Sequence, residues 1–128
     1  MVKLKREKKD GKKEKAINLI LSRLSDGLLL VEGKHDVKTL LKLGFRSYTY
    51  NSFIKVAAGA PRQTKVFILG DRDRRGIEKS EIVASMLCDL GFEVDTESGL
   101  RLLKILNSSS IEEIYSPMVQ ALNLERKT

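Results

Sequence analysis

Two segments hold carboxylates at spacings that could do chemistry, Glu32-Gly33-Lys34-His35-Asp36 and Asp71-Arg72-Asp73. Each follows a continuous apolar run, Leu28-Leu29-Leu30-Val31 in the first case and Val66-Phe67-Ile68-Leu69 in the second. Such runs read as strands covered on both faces, as in a parallel sheet. Neighbouring parallel strands lie about 4.8 Å apart, so if these two are adjacent, Glu32 and Asp71 face one pocket within reach of a common ion. Asp73 points the same way as Asp71 on an extended chain leaving the strand. Three carboxylates converging with no lysine fully embedded among them repel one another, and a hard divalent cation resolves that repulsion. Mg²⁺ suits the arrangement because it takes oxygen ligands, keeps several waters and is held by one or two carboxylates plus a substrate phosphate. Asp71, Asp73 and Glu32 are therefore the expected metal residues, with Lys34 in the same loop as a phosphate-facing cation. Gly33 and Gly76 leave room for backbone to approach a phosphate, Gly76 at a helix start where free N–H groups favour an anion.

A plainer reading exists for the same residues. An acid at a strand end is often only a helix N-cap, and Asp-Arg-Asp could be a solvated turn paired with Arg74 and Arg75. Around the second loop the sequence gathers Arg72, Arg74, Arg75 and Lys79, with Arg62 and Lys65 just before it. Beside a carboxylate metal site, such cations hold the flanking phosphates of a nucleic acid. Their structural alternative is charge balance with Asp71, Asp73 and Glu78.

The elements that must position these loops follow from periodicity. Ala16, Ile17, Ile20, Leu21 and Leu24 predict a short amphipathic helix ending near Ser25-Asp26-Gly27. Residues 34–43 predict a second helix stopped by Gly44, and Arg46 to Tyr50 a more polar strand. A helical turn is expected around Phe53 to Ala58. Ile77 to Leu90 predicts a helix with Ile77, Ile82, Val83, Met86, Leu87 and Leu90 on its apolar side, Cys88 filling core space there, and Gly91 closing it. Phe92 to Asp95 is a fourth strand. Gly99 to Leu106 and Ser110 to Leu122 are further helices, the latter opened by a Ser110/Glu113 capping box and kinked or stopped by Pro117. Strand and helix in alternation imply an α/β fold: an open, mainly parallel four-stranded Rossmann-like sheet with helices on both faces. Ligands of such sheets gather at the carboxyl ends of the strands, where both acidic loops fall. Tyr48, Tyr50 and Tyr115 read as packing residues, and His35 as a solvent-facing one.

Composition bounds the rest. The 128 residues suit one small domain, and a single cysteine excludes a disulfide scaffold or a cysteine-rich zinc site, favouring a reducing, cytoplasmic location. No apolar run is long enough to span a bilayer and no secretory signal is visible, so no membrane partner is expected. The net charge of +7 is unevenly placed. Residues 1–15 carry eight basic and three acidic side chains, a basic arm of net +5, while residues 16–128 carry only +2. The arm is expected to be mobile, or helical only from about Lys13 onward, and either to touch a phosphate backbone or to act as a solubilising tail.

Taken together, Leu29-Leu30-Val31-Glu32-Gly33-Lys34-His35-Asp36 and Ile68-Leu69-Gly70-Asp71-Arg72-Asp73-Arg74-Arg75-Gly76 resemble the two signature motifs of the Toprim domain. That fold is shared by bacterial-type primases, type IA and type II topoisomerases, OLD-family nucleases and 5S ribosomal RNA maturases. The resemblance covers about residues 27–95, leaving C-terminal helices beyond a Toprim core, and its wording is closest to the maturases and small stand-alone Toprim proteins, with primase-type domains also similar. It implies a general acid or base at Glu32 and Mg²⁺ on Asp71 and Asp73. Where the maturases carry a Thr-Asn-Gly-Ser-like element, this chain departs with Thr49-Tyr50-Asn51-Ser52. In 128 residues neither a topoisomerase's DNA-gripping domain nor a complete primase is expected. The expectation is a Mg²⁺-dependent nucleic-acid-binding protein with phosphodiester hydrolysis as its candidate reaction, RNA ahead of DNA. Its competitors are a non-catalytic nucleic-acid or ribonucleoprotein subunit that needs a larger partner, and a hydrolase of small phosphate esters, which leaves the basic arm without a purpose.

Overall fold

The computed structural model describes residues 2–59, 61 and 64–122, and side-chain surroundings for 11–55, 57, 59, 61 and 64–122. The elements run α1 (Val2–Leu24), β1 (Leu28–Val31), α2 (Lys34–Lys42), β2 (Ser47–Thr49) and α3 (Tyr50–Val56), then a 3₁₀ turn at Ala57–Gly59. They continue with β3 (Lys65–Ile68), α4 (Arg74–Asp89), β4 (Glu93–Asp95), α5 (Glu97–Ile105), a second 3₁₀ turn at Ile111–Glu113 and α6 (Tyr115–Leu122). The fold is α/β with four parallel strands in the order β2-β1-β3-β4.

Because alternate strand residues face opposite sides, the two apolar strands each serve two cores. Leu29 and Val31 of β1, with Phe67 and Leu69 at β3, pack beneath Ile17, Ile20 and Leu24 of α1, Leu40 of α2, and Leu102 and Leu103 of α5. Leu30, Val66 and Ile68 face the other way, against Tyr50 and Phe53 of α3 and Val83 and Leu87 of α4. Helices thus cover both faces. Leu30 and Val31 are wholly buried, as a continuous apolar strand requires.

Several expectations need correction. The basic arm is helical from Val2 rather than from Lys13, since α1 extends through it. Lysine, arginine and glutamate are good helix formers, and Gly11 alone does not end the run. α4 turns a different face inward: its buried stripe is Gly76, Ser80, Val83 and Leu87. Ile82, Met86 and Leu90 are exposed, and so is Cys88, which is not core filler. Two small residues, Gly76 and Ser80, pack more closely on the β3 loop than isoleucine could, and this sets the rotation. The Ser110/Glu113 capping box is not formed, as Ser110 makes no side-chain cap. α6 starts only at Tyr115, so Pro117 falls in its first turn, where the missing N–H has no intrahelical partner to lose. Of the tyrosines, Tyr50 is buried, whereas Tyr48 and Tyr115 are both more than a third exposed. No helix among the described residues is long and apolar enough to cross a membrane.

Candidate functional site at the carboxyl edge of the sheet

In a 2-1-3-4 sheet the chain leaves β1 towards one face and β3 towards the other, opening a crevice between their carboxyl ends. β1 and β3 are hydrogen-bonded neighbours, with Leu30 level with Ile68, so Glu32 and Asp71 flank that crevice. The backbone N–H of Leu69 continues the ladder to the Leu30 carbonyl at 2.8 Å, holding the second acidic loop against the first.

Asp71 is half-buried, and its carboxyl is raised above the ordinary carboxylate range. Burial is the main cause; Asp36, Glu32 and Asp73 add repulsion, while the backbone N–H of Ile111 works against them. Asp36, in the first turn of α2, is buried and also raised, first by burial and then by Glu112 and Glu32, although its Oδ2 accepts the Gly33 N–H at 3.1 Å. The crevice is therefore a place where negative charge accumulates. Asp36 was not singled out in the sequence as a site residue. The signal was an acid three positions after the glycine that opens a helix, the spacing of a reciprocal cap.

Two of the expected roles look different in three dimensions. Asp73 is the N-cap of α4, its Oδ1 accepting the Gly76 N–H at 2.7 Å. The Gly76 N–H is thereby engaged, and the residue's smallness serves another end. A Cβ at Gly76 would stand 2.6 Å from the Asp71 carbonyl oxygen, so glycine lets the helix seat directly on the Asp71 backbone. A half-exposed lysine also reaches the first of the carboxylates. Lys79, on the second turn of α4, places Nζ 2.7 Å from Glu32 Oε1. Among the described residues, no three of His, Cys, Asp and Glu close into a metal-holding group.

The basic residues divide. Arg72 ties the linker after α5 to the acidic loop, its N–H donating to the Ser109 carbonyl at 2.8 Å and Nη1 to the Ser108 carbonyl at 3.3 Å. Arg74 pairs with Glu78 one turn on, at 3.2 Å, both well exposed. Arg75 and Lys34 are exposed near the crevice loops, as is His35. Lys65 begins β3, at the opposite end of the strand from Asp71, and faces Glu93 at 3.9 Å, so it does not belong to this cluster. Arg62 lies outside the described residues.

Tyr50 was also missed. It begins α3 directly behind β2, where Thr49 Oγ1 caps the helix by accepting the Ser52 N–H at 3.2 Å. Its hydroxyl is buried and makes no well-formed hydrogen bond, although Ser80 Oγ, already donating to the Gly76 carbonyl at 2.9 Å, lies beside it. Burial chiefly, and the charges of Glu32, Asp36 and Asp71, raise the phenol above its ordinary value. Gly70 makes space for both hydroxyls, since a Cβ there would meet Ser80 Oγ at 2.2 Å and Tyr50 Oη at 3.2 Å.

Fold and site together define a doubly wound α/β protein with an acidic crevice at its topological switch point. No family model matches the chain. It is 34% identical over 97 residues to a UPF0292 protein of Pyrococcus abyssi, covering 71% of this chain and 74% of that one. A UPF0292 protein of Pyrococcus horikoshii is 33% identical over 110 residues, covering 80% and 83%. The chain belongs to the UPF0292 family. A solved structure of a protein from Aquifex aeolicus is similar with a TM-score of 0.63 and 28% identity, covering 78% of this chain and 95% of that one.

Proposed function

We propose that this chain is a Toprim protein that binds nucleic acid with Mg²⁺ and hydrolyses phosphodiesters, RNA ahead of DNA. One observation carries the reading: Asp71 is half-buried beside the end of the neighbouring strand, with Asp36, Glu32 and Asp73 all raising its carboxyl. A group in that position is stabilised by added positive charge. The donors are all oxygen and few, which fits a hard cation that keeps much of its water and does not fit a soft or fully caged one. Asp71, with the second oxygen of Asp73, would hold Mg²⁺. Bound there, the ion would supply Lewis-acid polarisation of the phosphodiester.

The chain's own residues do the remaining work. Glu32, at the rim of the crevice, takes a proton from the water whose oxygen bonds to phosphorus, or in its protonated form gives one to the leaving oxygen as that P–O bond breaks. Lys79 leaves Glu32 for a phosphate oxygen, and Lys34 offers a second cation from the start of α2. Arg74 and Arg75 hold flanking phosphates in register, a contact that positions without reading sequence. A second reading, a non-catalytic nucleic-acid or ribonucleoprotein subunit working with a larger partner, draws on the 2.7 Å Lys79–Glu32 ion pair, which occupies the expected acid–base group.

Labelled structured RNA, single-stranded DNA and duplex DNA, incubated with Mg²⁺ or chelator, separate the two. Metal-dependent cleavage lost in both Glu32→Gln and Asp71→Asn is the expected result. Binding that survives chelator and both substitutions, with no cleavage of any substrate, overturns the nuclease and leaves the subunit.

A further inference from the structure

Between α3 and α4, beside the Glu32–Lys79 pair, lies a cavity of about 220 Å³ whose lining is chemically mixed. Ile54 from α3 and Ile82 from α4 supply apolar walls, Asn51 a carboxamide, and Glu32 and Lys79 a charged rim. We infer that this cavity seats a single nucleobase, that of the nucleotide flanking the phosphate at the Glu32 and Asp71 end of the sheet. The inference rests on the nucleic-acid reading above and adds to it a base subsite with named walls.

Size, surface and polarity each contribute. The volume lies below the roughly 300–1,000 Å³ of a pocket for a drug-sized ligand, so one planar ring enters while ribose and phosphate stay outside. Ile82 is 62% exposed in the free protein, on a helix whose other face is packed. Covering it with a ring face removes apolar surface from water, at about 25 cal/mol per Å². Asn51 is exposed at the start of α3, and its side chain makes no hydrogen bond among the described residues. A carboxamide offers a donor and an acceptor side by side, the pattern that pairs with the edge of a heterocyclic base. An aromatic side chain of a protein partner would fill the same walls but leave that pair unmatched. Lys79 at the rim places a cation where the phosphate attached to such a base emerges.

The full-length protein with ¹³C-labelled isoleucine methyls tests this by NMR titration with AMP, UMP, ribose 5-phosphate and inorganic phosphate. The Ile54 and Ile82 methyls should shift saturably with the nucleoside monophosphates, with ribose 5-phosphate at least tenfold weaker. Asn51→Ala, at an exposed position that does not threaten folding, should weaken AMP or UMP by about tenfold and leave ribose 5-phosphate unchanged, the loss expected for one paired base edge. Equal response to ribose 5-phosphate overturns the subsite. So do methyls that stay still at saturating AMP and UMP while single-stranded RNA still binds, an outcome that leaves the nucleic-acid reading standing. Methyl shifts with AMP or UMP in a protein that binds no RNA or DNA support the base subsite and overturn the nucleic-acid reading.

Discussion

Lys79 Nζ meets Glu32 Oε1 at 2.7 Å across 47 positions of sequence, joining α4 to the end of β1 over the mouth of the crevice. Both side chains keep roughly two-fifths to half of their surface in water, so the pair contributes only about 0.2–1 kcal/mol to folding. Its weight falls on the site. Lys79→Gln is expected to change the unfolding free energy by less than about 1 kcal/mol and to tighten Mg²⁺ binding in calorimetry, because a competing cation is gone. The same variant should lose RNA affinity, with a salt slope about 1 smaller. Unchanged Mg²⁺ affinity would mean that Lys79 does not compete with a metal for the crevice.

Gly76 is where α4 seats directly on Asp71. A methyl there would press on the Asp71 carbonyl oxygen at 2.6 Å and on Asp71 Cβ at 2.9 Å. Because the neighbour is backbone, relief requires the acidic loop to move. Gly76→Ala should cost about 1–3 kcal/mol in chemical denaturation and lower Mg²⁺ affinity with it. Gly11→Ala is the matched control, on a helix with open space around it, and should gain up to about 1 kcal/mol. Two substitutions of the same kind with the same sign would refute the packing account.

The strands and the acids at their ends were legible because both depend on short range. Four consecutive apolar residues can be buried on two faces only in a covered sheet, and Glu32 and Asp71 follow at once. What lay across loops was not legible. Nothing near Lys79 in sequence names Glu32, and nothing near Arg72 names the Ser108 carbonyl that its guanidinium holds. The rotation of α4 was hidden for a related reason: a hydrophobic count favours Ile82 and Met86, whereas close approach of helix to loop selects Gly76 and Ser80.

Opposite pH signatures are expected at two carboxylates of the sheet edge. Asp71 is raised in the folded protein, so its ionisation works against folding, and stability is lost as pH rises through its folded value. Asp71→Asn should therefore raise the melting temperature at pH 7, with the gain shrinking towards acid pH. At Asp95, burial works upward but is outweighed by hydrogen bonds from Ser98 and Glu97 and by Lys65, leaving the carboxyl below its ordinary value. Its Oδ1 accepts the Glu97 and Ser98 N–H groups at 2.9 and 2.8 Å, and Oδ2 accepts from Ser98 Oγ, so it caps the start of α5. That stability is present above the unfolded value and lost as pH falls through the folded one. Asp95→Ala should cost about 1 kcal/mol at pH 7 and progressively less in acid. Thermal melts from pH 3 to 7 compare both variants with the wild type, and Mg²⁺ should raise the melting temperature of the wild type but not of Asp71→Asn.

Among the described side chains of α1, from residue 11 onward, the first buried one is Ile17, so the basic end of the helix can be deleted with that contact kept. Deleting residues 1–12 takes six lysines and arginines and two acids, most of the net charge of the whole chain. The melting temperature should change little, since Ile17, Ile20 and Leu24, the buried residues among those described in α1, all remain. RNA binding should weaken at low salt and converge on the full-length value at high salt. Each phosphate contact on a single strand contributes about 0.7 to the slope of log affinity against log salt, so losing six cations lowers that slope by up to about 4. If affinity and slope are both unchanged, the charge of this segment serves solubility, and the phosphate contacts must come from Lys34, Arg74, Arg75 and Lys79 around the crevice.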